Sequence, residues 1–225
     1  ARLAAVGRLS AGVAHEIGNP LAAIRGLLDL MQMGDLDPEE EPEFIGRIQR
    51  ESERIHHTIR DLLDFSRTEP TEDTRVESSA DLSAVVSDTV KLIDRQTRFR
   101  DIEIATRLEN DLPHVRGDHE RLRQLLLNLL FNSADALGGK GSIEVRAANG
   151  GGTVRLTVAD DGPGIDAAIL DQVFDPFVTT KAAGQGTGLG LAVCHTIVER
   201  LGGSIEARNR AQGGAMFEVS LPAAT

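Results

Sequence analysis

The chain has 225 residues, with 24 lysines and arginines against 35 aspartates and glutamates, for a formal net charge of −11. That balance excludes a nucleic-acid backbone as the main partner, because binding a run of phosphates calls for a basic face. At 40% hydrophobic content the chain can bury one large core or two smaller ones, yet no apolar run approaches the ~20 residues that span a bilayer.

No signal-peptide pattern opens the chain. It begins Ala1-Arg2-Leu3, already in helical register, and reads as a fragment whose sensory or membrane part lies elsewhere. Leu3, Val6, Leu9, Val13, Ile17, Leu21, Ile24, Leu28 and Met31 recur at steps of three and four, which predicts one long amphipathic helix. Gly34 and Pro38 break it. A second helix is expected from about Glu40 to Ser66, with Phe44, Ile48, Ile55, Ile59, Leu62 and Leu63 on its apolar side. The acidic run from Asp35 to Glu43 is a solvated turn that also favours the second helix's positive end. A hairpin of two such helices cannot hide its stripe alone, and a second copy would complete a dimeric four-helix bundle.

The polar stretch Thr68–Ser79, with Pro70, is a linker candidate. Strand-like runs follow at Ile102–Thr106, Ser142–Arg146, Thr153–Val158 and Ala215–Leu221, with helical stretches at about Leu82–Arg98, Glu120–Leu137 and Leu189–Leu201. Mixed strands and helices with short connections indicate an α+β fold, an α/β sandwich over residues 80–225. Cys194 is the single cysteine, which excludes an internal disulfide and suits a reducing compartment.

Within the first helix, His15 lies about 200° from both Val13 and Ile17, opposite the stripe, so its imidazole should face water. Glu16 can hydrogen-bond one ring nitrogen and keep the other nucleophilic. Asn19 falls one turn later on nearly the same face, and Pro20 removes the amide donor to the Glu16 carbonyl, which should bend the helix. No second His or Cys stands at ligand spacing from His15, so a metal site is disfavoured. His56, His57, His114, His119 and His195 form no pattern with it. A nucleophile and an ordinary surface histidine both fit the residues at this point.

Two glycine-rich segments follow. Asp160-Asp161-Gly162-Pro163-Gly164 comes after a strand, where glycines let the backbone approach a flat ring and a carboxylate can accept from an adenine amino group. Gly184, Gly186, Gly188 and Gly190 crowd the start of a helix, where amides suit phosphate oxygens. No Gly-Lys-Ser/Thr follows, so this is not a Walker loop, and it lacks the βαβ context of a dinucleotide fold. Glycines also serve plain turns, so these loops alone leave both readings open. Upstream, Asn128 and Asn132 share one face of an apolar helix, which suggests a polar rim for a ligand, with Mg²⁺ bridged to phosphates as its occupant.

The ordered set resembles the catalytic core of bacterial two-component sensor histidine kinases over essentially the whole chain. His15-Glu16-x-x-Asn19-Pro20 is similar to that family's H box, and Asn128-x-x-x-Asn132 to its N box. Asp160-x-Gly162-x-Gly164 matches the G1 box, Phe174–Phe177 the F box and Gly186-x-Gly188-x-Gly190 the G2 box, while Gly213–Phe217 is similar to the closing strand motif. The His-Glu-Ile-x-Asn-Pro-Leu form with a short Thr-Thr-Lys lid resembles the nitrogen-regulation-like class.

The resemblance implies a dimerisation and phosphoacceptor hairpin over residues 1–67, a linker over 68–79 and a GHKL-type, or Bergerat-type, ATP-binding domain over 80–225. It implies that His15 takes the γ-phosphoryl group of ATP with Glu16 assisting proton removal, and that Asn19 with Glu16 positions water to dephosphorylate a partner. Asn132 would bind Mg²⁺ and Asn128 would help place the nucleotide. Asp160 would take the adenine amino group, with Gly162, Gly164 and Phe177 beside it. Lys181 and the backbone of Gly186, Thr187, Gly188, Leu189 and Gly190 would contact phosphates. The implied partners are a second copy, giving a homodimer, and the receiver domain of a response regulator, in the cytoplasm, with anchoring of the intact protein left open. Gyrase-like and chaperone relatives of the wider ATPase superfamily carry a glutamate where Asn128 stands. An amide cannot take a proton from water, which favours a kinase over a gyrase- or chaperone-type ATPase. The intact set of chemical residues likewise disfavours a degenerate scaffold that only docks a regulator.

Overall fold

The three-and-four apolar spacing at the start of the chain winds into α1, Arg2–Gln32, which carries Pro20 in its interior. The second periodic stretch forms α2, Glu41–Arg67, whose first turn holds Glu41 and Glu43 where carboxylates favour the helix's positive end. Both helices fall where the spacing placed them. The computed structural model describes residues 2–33, 40–67, 78–94, 96–181 and 187–224. The expected break at Gly34–Pro38 and linker residues 68–77 lie outside the described residues.

The chain divides into two units: Ala1–Arg67 with Thr179–Leu189, and Thr68–Val178 with Gly190–Thr225. In the first, α1 and α2 pack against one another. Glu43 accepts a hydrogen bond from Arg47 at 2.6 Å, and that guanidinium lies 6.0 Å from the Phe44 ring centre. The hairpin does not cover its own stripe. Leu21 is 57% exposed, Leu28 42% and Ile59 41%, large apolar side chains that the hairpin leaves uncovered. No helix among the described residues is long and apolar enough to cross a membrane.

The second unit opens with β1, Ser79–Ala80, so the last residue of the expected linker is already paired, opposite Arg116 in β3, Val115–Arg116. Helix α3, Leu82–Ile93, starts because Asp81 accepts from the amides of Ser83 at 2.8 Å and Ala84 at 3.2 Å. It ends five residues short of the expected Arg98. The chain turns into a short 3-10 segment at Thr97–Phe99 that buries Phe99 with its ring 5.7 Å from Phe131. Strand β2, Asp101–Leu108, follows. Helix α4, His119–Ala136, is capped by Asp118 through the Arg121 amide at 2.9 Å. Strands β4, Lys140–Asn149, and β5, Thr153–Asp160, form a hairpin; α5, Gly190–Arg200, precedes β6, Ser204–Asn209, and β7, Ala215–Pro222.

The five-stranded sheet runs β2-β4-β5-β7-β6. β2 and β4 are parallel and every other pair is antiparallel. Strand β7 alternates buried and half-buried residues along its whole length, as expected of a sheet with one covered face. Ile143, Val145, Leu156, Val158, Phe217 and Val219 meet Val85, Leu122, Leu126, Leu129 and Val193 in one core. The opposite face is laced with charge. Glu144 holds Arg107 at 2.9 Å and Arg146 at 2.6 Å, and Glu218 holds Arg208 at 3.0 Å and Arg155 at 3.3 Å. The two-layer arrangement is the α+β sandwich expected from the order of strands and helices.

Candidate functional site

Helix α4 divides its residues by period. Leu122, Leu125, Leu126, Leu129 and Leu130 are buried in the core, while Gln124, Asn128, Phe131, Asn132 and Asp135 are half-buried along the flank beside it. Asn128 and Asn132 therefore share a face, as their four-residue spacing requires. Asn128 Nδ2 donates to the Gly190 carbonyl at 3.3 Å, tying the start of α5 to α4. Its amide also stands beside the Cys194 thiol, which donates to the Leu125 carbonyl at 3.7 Å and which burial pushes up to about 12. Asp135 is paired with Arg98 at 3.3 Å, and that guanidinium lies 5.4 Å from the Phe131 ring centre.

Asp160 is the last residue of β5 rather than the start of a loop. The strand continues two residues past the expected Val158, because Ala159 and Asp160 keep pairing with Glu144 and Ile143. The carboxylate is 1% exposed. Its Oδ1 accepts from the amides of Gly162 at 3.0 Å and Ala215 at 3.1 Å, while its carbonyl accepts from Arg210 Nη1 at 2.6 Å. Two amides at one oxygen fix the orientation of a buried carboxylate and offset part of its desolvation.

The glycines around it are needed at particular points. A Cβ on Gly214 would stand 1.9 Å from the Asp160 carbonyl oxygen, a contact only glycine avoids. Gly162 passes close enough to α4 that its Cβ would stand 3.6 Å from the Ala136 carbonyl. Gly164 has φ +82°, and a Cβ there would stand 2.7 Å from Asn209 Oδ1. Asn209 clamps the loop with two hydrogen bonds, accepting from the Ile165 amide and donating to the Ile165 carbonyl, both at 2.7 Å. Asp161 points elsewhere. It accepts from the Ser142 amide at 2.7 Å and the Ser142 hydroxyl at 2.8 Å, bonds that hold its carboxyl below the usual range. Of the two adjacent aspartates, only Asp160 is buried at the end of the strand.

Phe174 stacks with its ring centre 5.8 Å from His195 and 6.5 Å from Phe217. Three residues on, Phe177 has φ +68°, a conformation that costs a bulky residue on the order of 1–3 kcal/mol and concentrates at working sites. In the neighbouring segment the Lys181 amide donates to Thr179 Oγ1 at 3.1 Å, and the Leu189 amide donates to Thr187 Oγ1 at 3.3 Å. Gly188 has φ +64°, so that position favours glycine. Gly190 is the first residue of α5, and a Cβ there would meet nothing within 4 Å. Gly186 lies outside the described residues.

In α1 the backbone is helical through His15, Glu16 and Asn19, which sets His15 and Asn19 one turn apart. Asn19 is exposed and Pro20 buried. The side chains of His15 and Glu16 lie outside the described set. Among the described residues no group of three or more His, Cys, Asp or Glu could hold a metal. Asn132 is the residue of this flank that would hold a magnesium ion, whose chemistry would be to neutralise charge on a bound phosphate.

Sequence reading missed Asn209, Arg210 and the Ala215 amide. Gly213-Gly214 was the one signal available, since a glycine pair opening a strand marks a close backbone approach. Asn209 and Arg210 act across 44 and 50 residues of sequence, and no local pattern carries that information.

The model for the His Kinase A (phospho-acceptor) domain matches residues 5–71. The model for the histidine kinase-, DNA gyrase B-, and HSP90-like ATPase matches residues 117–225. Sensor histidine kinase ZraS of Escherichia coli (strain K12) is 37% identical over 221 residues, covering 98% of this chain and 46% of ZraS. Signal transduction histidine-protein kinase AtoS of the same strain is 35% identical over 222 residues, covering 98% of this chain and 35% of AtoS. The chain thus spans less than half the length of these curated relatives. Among solved structures, the catalytic domain of histidine kinase ThkA is 32% identical with a TM-score of 0.59, covering 65% of this chain and 95% of that one. ThkA in complex with response regulator protein TrrA aligns with a TM-score of 0.80 at 30% identity, over 99% of this chain and 63% of that one. Two family models in tandem, and a solved catalytic domain covered almost end to end, place the chain among the sensor histidine kinases of two-component systems, as a catalytic core.

Proposed function

We propose that this chain phosphorylates its own His15 from ATP and passes the phosphoryl group to an aspartate of a response regulator's receiver domain. The carrying observation is the buried Asp160 carboxylate, fixed by the Gly162 and Ala215 amides where β5 ends against α4, on a chain whose first helix presents His-Glu-x-x-Asn. Asp160 accepts from the 6-amino group of adenine. Asn132 holds Mg²⁺, which neutralises charge on the phosphates when bound, and Asn128 orders the start of α5. Lys181 and the amides from Gly186 to Gly190 contact the phosphates.

The His15 ring nitrogen attacks the γ-phosphorus in line. A P–N bond forms, the bond to the bridging oxygen of ADP breaks, and Glu16 takes the ring proton. Phosphoryl transfer of this kind needs little covalent help, so positioning and charge neutralisation supply most of the rate. The uncovered stripe of α1 and α2 supports a homodimeric four-helix bundle. The likeness to ThkA bound to a response regulator supports a receiver domain docking on the hairpin. Asn19 with Glu16 positions the water that later dephosphorylates the regulator. We place this activity in the cytoplasm, with no nucleic-acid partner.

The test is incubation with γ-labelled ATP and Mg²⁺, comparing wild type with His15→Gln. Acid-labile, base-stable label that disappears in the variant is the expected result. Label that survives the substitution, or steady ATP hydrolysis indifferent to it, would refute the assignment.

A further inference from the structure

Phe131 and Asp135 form a row on α4 beside the row of Asn128 and Asn132. Each stands three positions after a member of the other row, the spacing at which side chains on a helix are neighbours. A cation lies across the first row. Arg98 Nη2 stands 3.3 Å from Asp135 Oδ1, and the guanidinium carbon lies 5.4 Å from the Phe131 ring centre. Arg98 belongs to the short 3-10 segment, and its neighbour Phe99 is buried with its ring 5.7 Å from Phe131, which anchors the backbone that carries it. The arginine side chain is nevertheless 51% exposed, against 25% for Asp135. A guanidinium has five donors in one plane, so contact with one carboxylate oxygen leaves donors for a second anion. The arginines of α4 itself are engaged elsewhere: Arg121 pairs with Asp118 and Arg123 with Glu120, around its first turn.

We propose that Arg98 binds the triphosphate, donating to a non-bridging phosphate oxygen while Asp135 and Phe131 hold its plane in place. The inference rests on the ATP-binding reading above, in which the phosphates pass Asn132. A triphosphate approaching a chain of net charge −11 is repelled unless cations stand where it binds. Asp135 alone would add to that repulsion. With Arg98 laid across it, the row presents N–H donors instead, in the planar fork that matches phosphate oxygens. The two halves of this ion pair therefore act on ATP in opposite directions, which a purely structural pair does not do.

The test measures binding of ATP with excess Mg²⁺, and of adenosine, to wild type, Arg98→Gln and Asp135→Asn, alongside unfolding of the nucleotide-free proteins. ATP should bind about tenfold more weakly to Arg98→Gln, with adenosine unchanged. Asp135→Asn takes a carboxylate from the flank and leaves the guanidinium over Phe131, so it should bind ATP at least as tightly as wild type. The three unfolding midpoints should stay close together, because a half-exposed ion pair contributes little to stability. Unchanged ATP affinity in Arg98→Gln, or loss of ATP and adenosine together in both variants with lower midpoints, would overturn the assignment and leave Arg98 a packing residue. Failure of wild type to bind ATP would instead overturn the nucleotide-site reading, and this one with it.

Discussion

Gly164→Ala and Asn209→Ala act on one hydrogen-bonded contact from its two sides, so their energies should not add. Asn209 contributes two bonds at 2.7 Å to Ile165; both are solvent-exposed, and removing them should cost about 1–2 kcal/mol in total. Gly164→Ala forces a Cβ to 2.7 Å from Asn209 Oδ1 at φ +82°. The side chain must swing away, losing the same two bonds, and the left-handed backbone adds roughly 1–2 kcal/mol. The single changes should therefore cost about 1–2 and about 2–4 kcal/mol. The double variant should cost no more than Gly164→Ala alone, a coupling of about 1–2 kcal/mol. Urea unfolding followed by circular dichroism measures all four proteins; the chain has no Trp or Tyr for a fluorescence readout. ATP affinity should fall in the same order, since the clamped loop also supplies the Gly162 amide to Asp160. Additivity within about 0.3–0.5 kcal/mol would refute the clamp.

Three further outcomes follow from the geometry. Asp161 is held below its ordinary value of 3.8, first by the Ser142 amide and then by its hydroxyl. Its stabilisation is present above that value and lost as pH falls through the lower folded one. Asp161→Asn should therefore lower the melting midpoint at neutral pH by an amount that shrinks below about pH 4; a pH-independent gap would refute the linkage. Cys194, pushed up to about 12 by burial, should resist a thiol-specific disulfide reagent at pH 8 until urea unfolds the chain. Asn19→Ala should leave His15 phosphorylation nearly unchanged while slowing loss of label from the regulator about a hundredfold, and equal loss of both would sink that role.

The helices were legible because burial repeats at steps of three and four, and α1, α2 and α4 fall within a residue or two of where that period put them. Strand β6 was not legible. Among Ser204–Asn209 only Ile205 is a large buried residue, because β6 is an edge strand held from one side by β7. The end of β5 was obscured because an aspartate normally marks a strand's exit, and here it is buried inside the last pair. The asparagine face of α4 followed from helical spacing, whereas the Asn209 clamp and the Arg210 contact depend on β6 being laid beside β7, a decision of topology.

The parallel pairing of β2 with β4 also sets an order of assembly. Hairpins β4–β5 and β6–β7 join neighbours in sequence, but Asp101 reaches Lys140 only after a crossover that contains α4. Pairings that close long loops form late and slowly. Because the crossover contains the helix that carries Asn128 and Asn132, that asparagine face is set against the sheet only after the local hairpins have formed. The β5–β7 pairing, which sets Thr153 opposite Pro222, closes a longer loop still, so a ligand at the proposed nucleotide site can act only on chains in which both pairings are already made.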